Sequence, residues 1–142
     1  MAHRQRLVEK LEDFNKTLSR LSEIRALALP QEILFELSTK RSEYNFKVFC
    51  KLVKILLETK GILCYSPLDC FKNLYQMSLI EETQYKALIK FTKIKNTIEH
   101  IYDFSTAEGV YRYIIDEAID LVENVKEKLV GHIKKAEVEG YA

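Results

Sequence analysis

Residues 31–59 read QEILFELSTKRSEYNFKVFCKLVKILLET, a continuous helical pattern. Apolar side chains recur in this stretch at steps of three and four, as they do on the buried face of an amphipathic helix. These apolar positions are Leu34, Leu37, Tyr44, Val48, Phe49, Leu52, Val53, Ile55 and Leu56. Gly61 follows where a helix C-terminal cap prefers glycine. The stretch predicts one long helix, with a candidate break or kink at Lys40–Ser42.

Helical patterns also lie on both sides of this stretch. The earlier residues that follow helical spacing are Leu7, Leu11, Phe14, Leu18, Leu21 and Ile24. Pro30 closes this first helix, because its ring cannot continue the hydrogen-bond ladder. After residue 59, Ser66 is a candidate cap for a short helix that Pro67 begins, and Asp69 is placed to reach back to the helix start.

The second half of the chain predicts two more helices. One runs from Glu82 to His100, with Tyr85, Leu88, Ile89 and Thr92 as inner positions. Residues 102–105 predict a turn, and Ser105 with Glu108 predicts a capping box that starts the last helix. That helix keeps its period through Val110, Ile114, Ala118, Val122, Val125, Leu129 and Ile133. Together the patterns predict an all-α, up-and-down bundle of about five helices with a four-helix-bundle core.

The composition agrees with this fold class. The 142 residues suffice for a single domain, 1–142, and only four Gly and two Pro are available for turns. The net charge is +1, so a surface that binds nucleic acid has to be local. No apolar run approaches the ~20 residues of a membrane span, and the first residues lack the apolar segment of a secretory signal. We expect a cytoplasmic protein that does not contact membranes.

The cysteines do not indicate a metal site. Cys50, Cys64 and Cys70 lack the paired short spacing that zinc sites use. In a reducing compartment such cysteines are ordinarily free thiols, buried or half-buried. We therefore expect three free thiols, no metal ion and no cofactor.

A cluster of chemically active side chains ends the fourth helical pattern. The stretch Lys95–Asp103 reads KNTIEHIYD and places Asn96 and His100, four residues apart, on one helix face. His100 is a candidate general acid/base for phosphodiester cleavage, Lys95 would stabilise charge on the phosphate oxygens, and Asn96 would orient the imidazole. Structural roles fit the same residues: His100 can complement the helix dipole, and Lys95 can pair with Glu99.

Two runs of lysines indicate local affinity for phosphate. The candidate nucleic-acid-binding residues in them are Lys86, Lys90, Lys93, Lys47 and Lys51. The first three precede Lys95 with no acidic residue between Glu82 and Glu99, and the other two lie at helical spacing in the second helix. An ordinary solvated helix face accounts for both runs equally well.

Residues 95–102 resemble the Arg-x4-His-x-Tyr signature of the HEPN superfamily, with Lys95, His100 and Tyr102 in the Arg, His and Tyr places. Other stretches are similar to the nucleotidyltransferase substrate-binding-protein branch of that superfamily, in order along residues 40–115. These stretches are Glu43–Lys47 leading into Lys60–Ile62, Ser66–Pro67, Met77–Ile80, Tyr102–Asp103, Thr106–Glu108 and Tyr111.

The resemblance implies a HEPN-like bundle that forms a homodimer, with the motif helices facing each other across a cleft. Each half of the cleft would supply Lys95, Asn96 and His100. Members of the superfamily act as metal-independent ribonucleases, often as toxins, and in this branch the partner is a minimal nucleotidyltransferase that acts as antitoxin. In some pairs the partner adds AMP to the motif tyrosine, here Tyr102. The implied function is a toxin-like ribonuclease that binds RNA or a nucleotide and is regulated by that partner.

Lys95 departs from the arginine of the signature. Arginine binds phosphate through a planar fork, whereas lysine is a point charge. Lysine here would keep phosphate affinity with a lower cleavage rate, or mark a member that binds without cleaving. The alternative function is therefore a non-catalytic accessory subunit that binds the substrate or nucleotide of a minimal nucleotidyltransferase. A purely structural helical dimer is a third interpretation.

Overall fold

The computed structural model describes residues 2–98 and 104–140, with side chains for 4–98 and 105–134. Its helices are α1 (Ala2–Glu23), α2 (Gln31–Thr59), α3 (Pro67–Gln76), α4 (Glu82–Ile98), α5 (Phe104–Tyr113) and α6 (Ile119–Gly140). The 3₁₀ turn Ile24–Ala26 follows α1, and the π turn Ile114–Ala118 joins α5 to α6 as one continuous helix. The described residues thus form the predicted all-α, up-and-down bundle. None of these described helices is long and apolar enough to cross a membrane.

The central helix of the bundle is α2. It packs against α1, α3 and α5, and α6 packs against α1 and α4. The α1–α2 pair is antiparallel: Arg6, near the start of α1, forms an ion pair with Glu58, at the end of α2, at 3.3 Å. Towards the other end, Nη1 of Arg41 donates to the carbonyl oxygen of Arg20 at 2.7 Å. The short connection of residues 27–30 leaves neighbouring helices antiparallel.

No break interrupts α2 at Lys40–Ser42, because the helix is continuous from Gln31 to Thr59. The hydroxyls of two buried serines are satisfied inside the helix. Ser38 Oγ donates to the carbonyl of Phe35 at 3.0 Å, and Ser42 Oγ donates to the carbonyl of Thr39 at 2.9 Å. Because these hydroxyls bond their own helix, they enter the core without needing partners from other helices.

A chain of aromatic rings joins α1 to α5. Neighbouring ring centroids in the chain lie 5.2 to 6.1 Å apart. The rings belong to Phe14 (α1), Phe46 and Phe49 (α2), Phe71 (α3), Phe91 (α4) and Tyr113 (α5). Each such pair contributes about 0.5–1.5 kcal/mol beyond the burial of its area. The chain of rings therefore fixes how α3 and α4 sit on α2.

An arginine in the 3₁₀ turn after α1 bonds to the π turn between α5 and α6. In a π turn a backbone N–H bonds the carbonyl five residues earlier, rather than four as in an α-helix. Here the Ile119 N–H bonds the carbonyl of Ile114. Nη2 of Arg25 donates to the neighbouring carbonyl of Ile115 at 2.8 Å and to Asp120 Oδ1 at 3.0 Å. This contact ties the end of the first helical segment to the middle of the last helix.

One predicted helix start is confirmed and the other is wrong. Ser66 caps α3, because its Oγ accepts from the N–H of Asp69 at 3.1 Å, and Asp69 Oδ2 accepts from the N–H of Tyr65 at 3.1 Å. Ser105 does not cap the last helix, since residue 104 is already helical. The carboxylate of Glu108 accepts from Arg112 at 3.1 Å instead of reaching back. The predicted turn is thus wrong at 104 and 105, while residues 102 and 103 lie outside the described ranges.

The expectation of three free thiols is wrong for two cysteines. Cys64 and Cys70 form a disulfide with a Cα–Cα distance of 5.1 Å. It links the loop before α3 to the first turns of that helix, and both residues are buried. The two cysteines are 6 residues apart in sequence. This spacing alone does not predict the disulfide, which depends on the capped helix that begins between them. Cys50 is a free thiol.

A polar contact lies within the apolar interface of α1 and α2. Nδ2 of Asn45 donates to Oγ1 of Thr17 at 3.1 Å, and that hydroxyl donates to the carbonyl of Phe14 at 2.9 Å. Both polar side chains are buried. Because a buried amide donor is costly without an acceptor, this contact favours one register of α1 against α2.

We expect Thr17→Val to lower the free energy of unfolding by about 1–3 kcal/mol, because a methyl group replaces the acceptor and leaves the Asn45 amide unpaired. Adding Asn45→Leu removes that donor, so the double variant should lose less than the sum of the two single variants. Urea denaturation of the four proteins measures this. Strictly additive losses would contradict the contact's role.

Candidate functional site

A groove lined by lysines lies between α2, α4 and the start of α3. Its volume is about 600 Å³. The lining side chains come from Lys40, Glu43, Tyr44, Phe46, Lys47, Cys50 and Lys51 of α2, Pro67 of α3 and Lys95 of α4. Four of these are lysines and one is a carboxylate, so the lining carries net positive charge. We call this feature the lysine groove.

One stripe of α2 forms the longer wall of the lysine groove. Lys40, Tyr44, Lys47 and Lys51 follow one another at steps of four, three and four residues, which places them along one helix face. The far side of α2 carries core residues such as Phe49, which is fully buried. Because the core fixes that buried side, the rotation of α2 presents the lysine stripe to the groove.

Lys95 lines the groove from α4. Its Nζ lies 5.7 Å from the centroid of the Phe46 ring, within the range of a cation–π contact. The same ring packs against Phe91 of α4 with centroids 5.2 Å apart. The Lys95 side chain is half-buried, so its stem is partly covered while its charge remains at the groove. Phe46 therefore positions the motif lysine relative to α2.

Cys50 gives the groove a neutral lining group. Burial raises the pKa of its thiol from 9.0 to about 12, and the nearby charge of Lys95 acts in the opposite direction. The thiol is protonated at pH 7 and behaves as a small apolar group rather than a nucleophile. The described lining of the groove thus offers cations and an aromatic ring, which suits binding.

The other predicted lysines lie apart from this lining. Lys86 and Lys90 form ion pairs with carboxylates at 3.2 Å and 2.9 Å. Lys93 is exposed on α4 and does not belong to the lining. Of the predicted nucleic-acid-binding residues, Lys47 and Lys51 are the two that the structure brings together with the motif lysine.

The motif residues fall partly within the described structure. Lys95 lines the groove, and Asn96, the next residue of α4, has an exposed side chain outside the lining. His100 and Tyr102 lie outside the described residues. The catalytic roles of Lys95, Asn96 and His100 and the regulatory role of Tyr102 stay predictions.

Sequence reasoning missed Lys40 and Tyr44 as site residues. Tyr44 counts as an apolar position of α2 by spacing, but its side chain is 61% exposed. It is four residues from buried Val48 and three from Lys47, so it lies at the boundary of two helix faces. The helical spacing of Tyr44 with three lysines is the sequence feature that could have identified this site, since an aromatic ring within a basic stripe is typical of a binding face.

Comparisons with known proteins agree with the fold and point to a family. A family model described as "Nucleotidyltransferase substrate binding protein like" matches residues 9–131, which include every residue of the groove lining. The chain is also similar to a crystal structure of a protein from Thermus thermophilus, with a TM-score of 0.71 and 21% identity. That alignment covers 84% of this chain and 98% of the other, and at this identity it shows the fold alone. No curated protein matches the chain.

We expect the free energy of unfolding to fall as the pH rises above 9. The pKa of Cys50 is higher in the folded protein than in the unfolded chain, so the unfolded chain releases its thiol proton first. The stabilisation present below pH 9 is lost as the pH rises towards about 12. Burial also raises the pKa of Tyr113, which acts in the same direction.

Urea denaturation at a series of pH values from neutral to alkaline measures this loss. A Cys50→Ala variant controls for lysines and tyrosines that titrate in the same window, and its stability should fall less steeply with pH. Identical pH dependence in the variant and the wild type would contradict the assignment to Cys50.

Proposed function

Because the chain belongs to the nucleotidyltransferase substrate binding protein-like family, we propose that it binds a phosphate-bearing substrate in the lysine groove for a separate nucleotidyltransferase. The observation that carries this proposal is the convergence of lysines from two helices on one concavity. Lys47 and Lys51 approach it from α2, and Lys95 approaches it from α4. Residues from separate parts of the chain thus form one cationic site.

The charge pattern of the groove supports a polyanionic ligand. Two like charges 4 Å apart repel by ~1 kcal/mol in water, and the repulsion grows where solvent is displaced. Outside the groove, Lys86 and Lys128 pair with the acids Glu82 and Glu81. The groove lysines form no such ion pair within the described part of the chain. A bound phosphate group would replace this repulsion with attraction.

The groove chemistry favours holding a substrate over transforming it. An ammonium group binds phosphate as a point charge without imposing a fixed geometry. The Cys50 thiol stays neutral because burial raises its pKa. In this proposal the nucleotidyltransferase supplies the transfer chemistry, and the present chain acts as its accessory subunit.

Lys47→Ala combined with Lys51→Ala should weaken the binding of inorganic tripolyphosphate at least tenfold, because charge-assisted contacts are each worth about 1.5–3 kcal/mol. The affinity should also become less sensitive to salt. Isothermal titration calorimetry at two salt concentrations measures both effects.

A matched double variant, Lys86→Ala with Lys128→Ala, removes the same charge from lysines that pair with acids outside the groove. It should bind tripolyphosphate within about twofold of the wild type. Equal losses in the two double variants would mean that overall charge, rather than the groove, governs binding.

A second function, a metal-independent ribonuclease, is supported by the place of Lys95. This residue holds the arginine position of the Arg-x4-His-x-Tyr signature and lies among the groove lysines. In this proposal a homodimer brings two copies of Lys95, Asn96 and His100 to one RNA phosphate. His100 is the general acid/base, and the partner nucleotidyltransferase acts as antitoxin, with Tyr102 as the site of AMP addition.

The ribonuclease proposal predicts that the purified protein cleaves tRNA or total RNA and that His100→Ala abolishes the cleavage. Lys95→Arg should increase the rate, because the guanidinium fork binds the charge that develops on phosphate oxygens through two hydrogen bonds. Gel electrophoresis of RNA after incubation with the variants measures both effects. Equally slow degradation by wild type and His100→Ala would exclude this catalytic role.

A further inference from the structure

We propose that the ligand of the lysine groove is a nucleoside phosphate whose base stacks on the ring of Tyr44, an inference that rests on the proposed function of the groove. The phosphates would lie against the lysines of the same α2 stripe and Lys95. The inference narrows the ligand from any phosphate-bearing molecule to one that carries a planar aromatic base.

The Tyr44 ring is available for such a contact. Its side chain is 61% exposed and lines the groove. Tyr75 stacks on Tyr85 with centroids 5.1 Å apart, and Tyr111 packs against Phe35 at 5.2 Å. Within the described structure, the Tyr44 ring has no aromatic neighbour and its hydroxyl makes no hydrogen bond.

The spacing along α2 matches the layout of a nucleotide. Lys40 and Lys47 lie about one helical turn from Tyr44 on either side, which corresponds to about 5 Å along the axis. A base and its phosphates are joined through a single ribose, so a ring and a cation one turn apart can hold the two ends of one molecule. Lys51 and Lys95 extend the cationic lining beyond the first phosphate.

The exposed ring argues for a base rather than for phosphate alone. Lysines are sufficient to bind inorganic phosphates, and for such a ligand an exposed aromatic side chain on the same stripe has no binding role. Stacking of a base on an aromatic side chain is favourable for every base, because each base has a π-face. Tyr44 therefore adds affinity for nucleotides without selecting one base.

The test compares ATP with inorganic tripolyphosphate, which carries at least comparable charge but no base. We expect Tyr44→Ala to weaken ATP binding about tenfold, within the range found for the loss of one stacking partner. Tripolyphosphate binding should stay within about twofold of the wild-type value. Tyr44→Phe keeps the ring and should bind ATP like the wild type. Isothermal titration calorimetry measures all affinities, and circular dichroism checks the helix content.

The outcomes separate this inference from the proposed function. If Tyr44→Ala leaves ATP binding unchanged, or weakens ATP and tripolyphosphate binding equally, stacking of a free nucleotide on Tyr44 is excluded while the phosphate groove stands. If the wild type binds neither ligand, both proposals fail. A short single-stranded oligouridylate distinguishes the source of the base: a Tyr44→Ala loss confined to it assigns the ring to an RNA strand, and a loss with ATP assigns it to a free nucleotide.

Discussion

The packing of the Phe46 ring is the contact on which both the core and the candidate site depend. The ring meets Phe71 of α3 and Phe91 of α4 with centroids 6.1 and 5.2 Å away, and Lys95 Nζ lies 5.7 Å from its centroid. One side chain thus fixes two helices on α2 and positions a groove lysine. A change in how α4 packs against the core would move Lys95 relative to the lysine stripe of α2. The position of the charge therefore depends on apolar packing.

In this near-neutral chain, the lysine groove and the ion pairs between lysines and acids lie on separate surfaces. On α4, Lys90 pairs with Glu117 of the π turn at 2.9 Å, while Lys95 lies one and a half turns further on in the lysine groove. The acids of the last helix also contact α1 and the 3₁₀ turn after it, since Glu123 accepts from Ser22 of α1 and Asp120 accepts from Arg25 of the turn. Because these acids have partners away from the groove, the groove stays cationic although the net charge is +1.

The fold was predictable because helical period and caps are local signals, whereas the site required contacts between distant residues. Spacing gave the bounds of α2, and the Ser66 cap gave the start of α3. Spacing could not assign Tyr44 to the core or to the binding face, because this residue lies between the apolar and basic faces of α2. Nor could it show that Lys90 pairs with Glu117, which is 27 residues away. The Cys64–Cys70 disulfide also depends on the fold, since the start of α3 brings the two cysteines together.

The lysine at position 95 has a physical explanation within the groove. A guanidinium would offer a rigid fork that fixes one phosphate geometry, which favours the stabilisation of a single transition state. An ammonium group over the Phe46 ring keeps its attraction for phosphate while its donors rotate freely. In the proposed function the bound substrate must pass to another protein. Loose positioning by an ammonium group favours this transfer, because a rigid set of contacts would slow release of the substrate. A lysine in place of the arginine of the signature that residues 95–102 resemble therefore fits the proposed substrate-binding role better than it fits efficient cleavage.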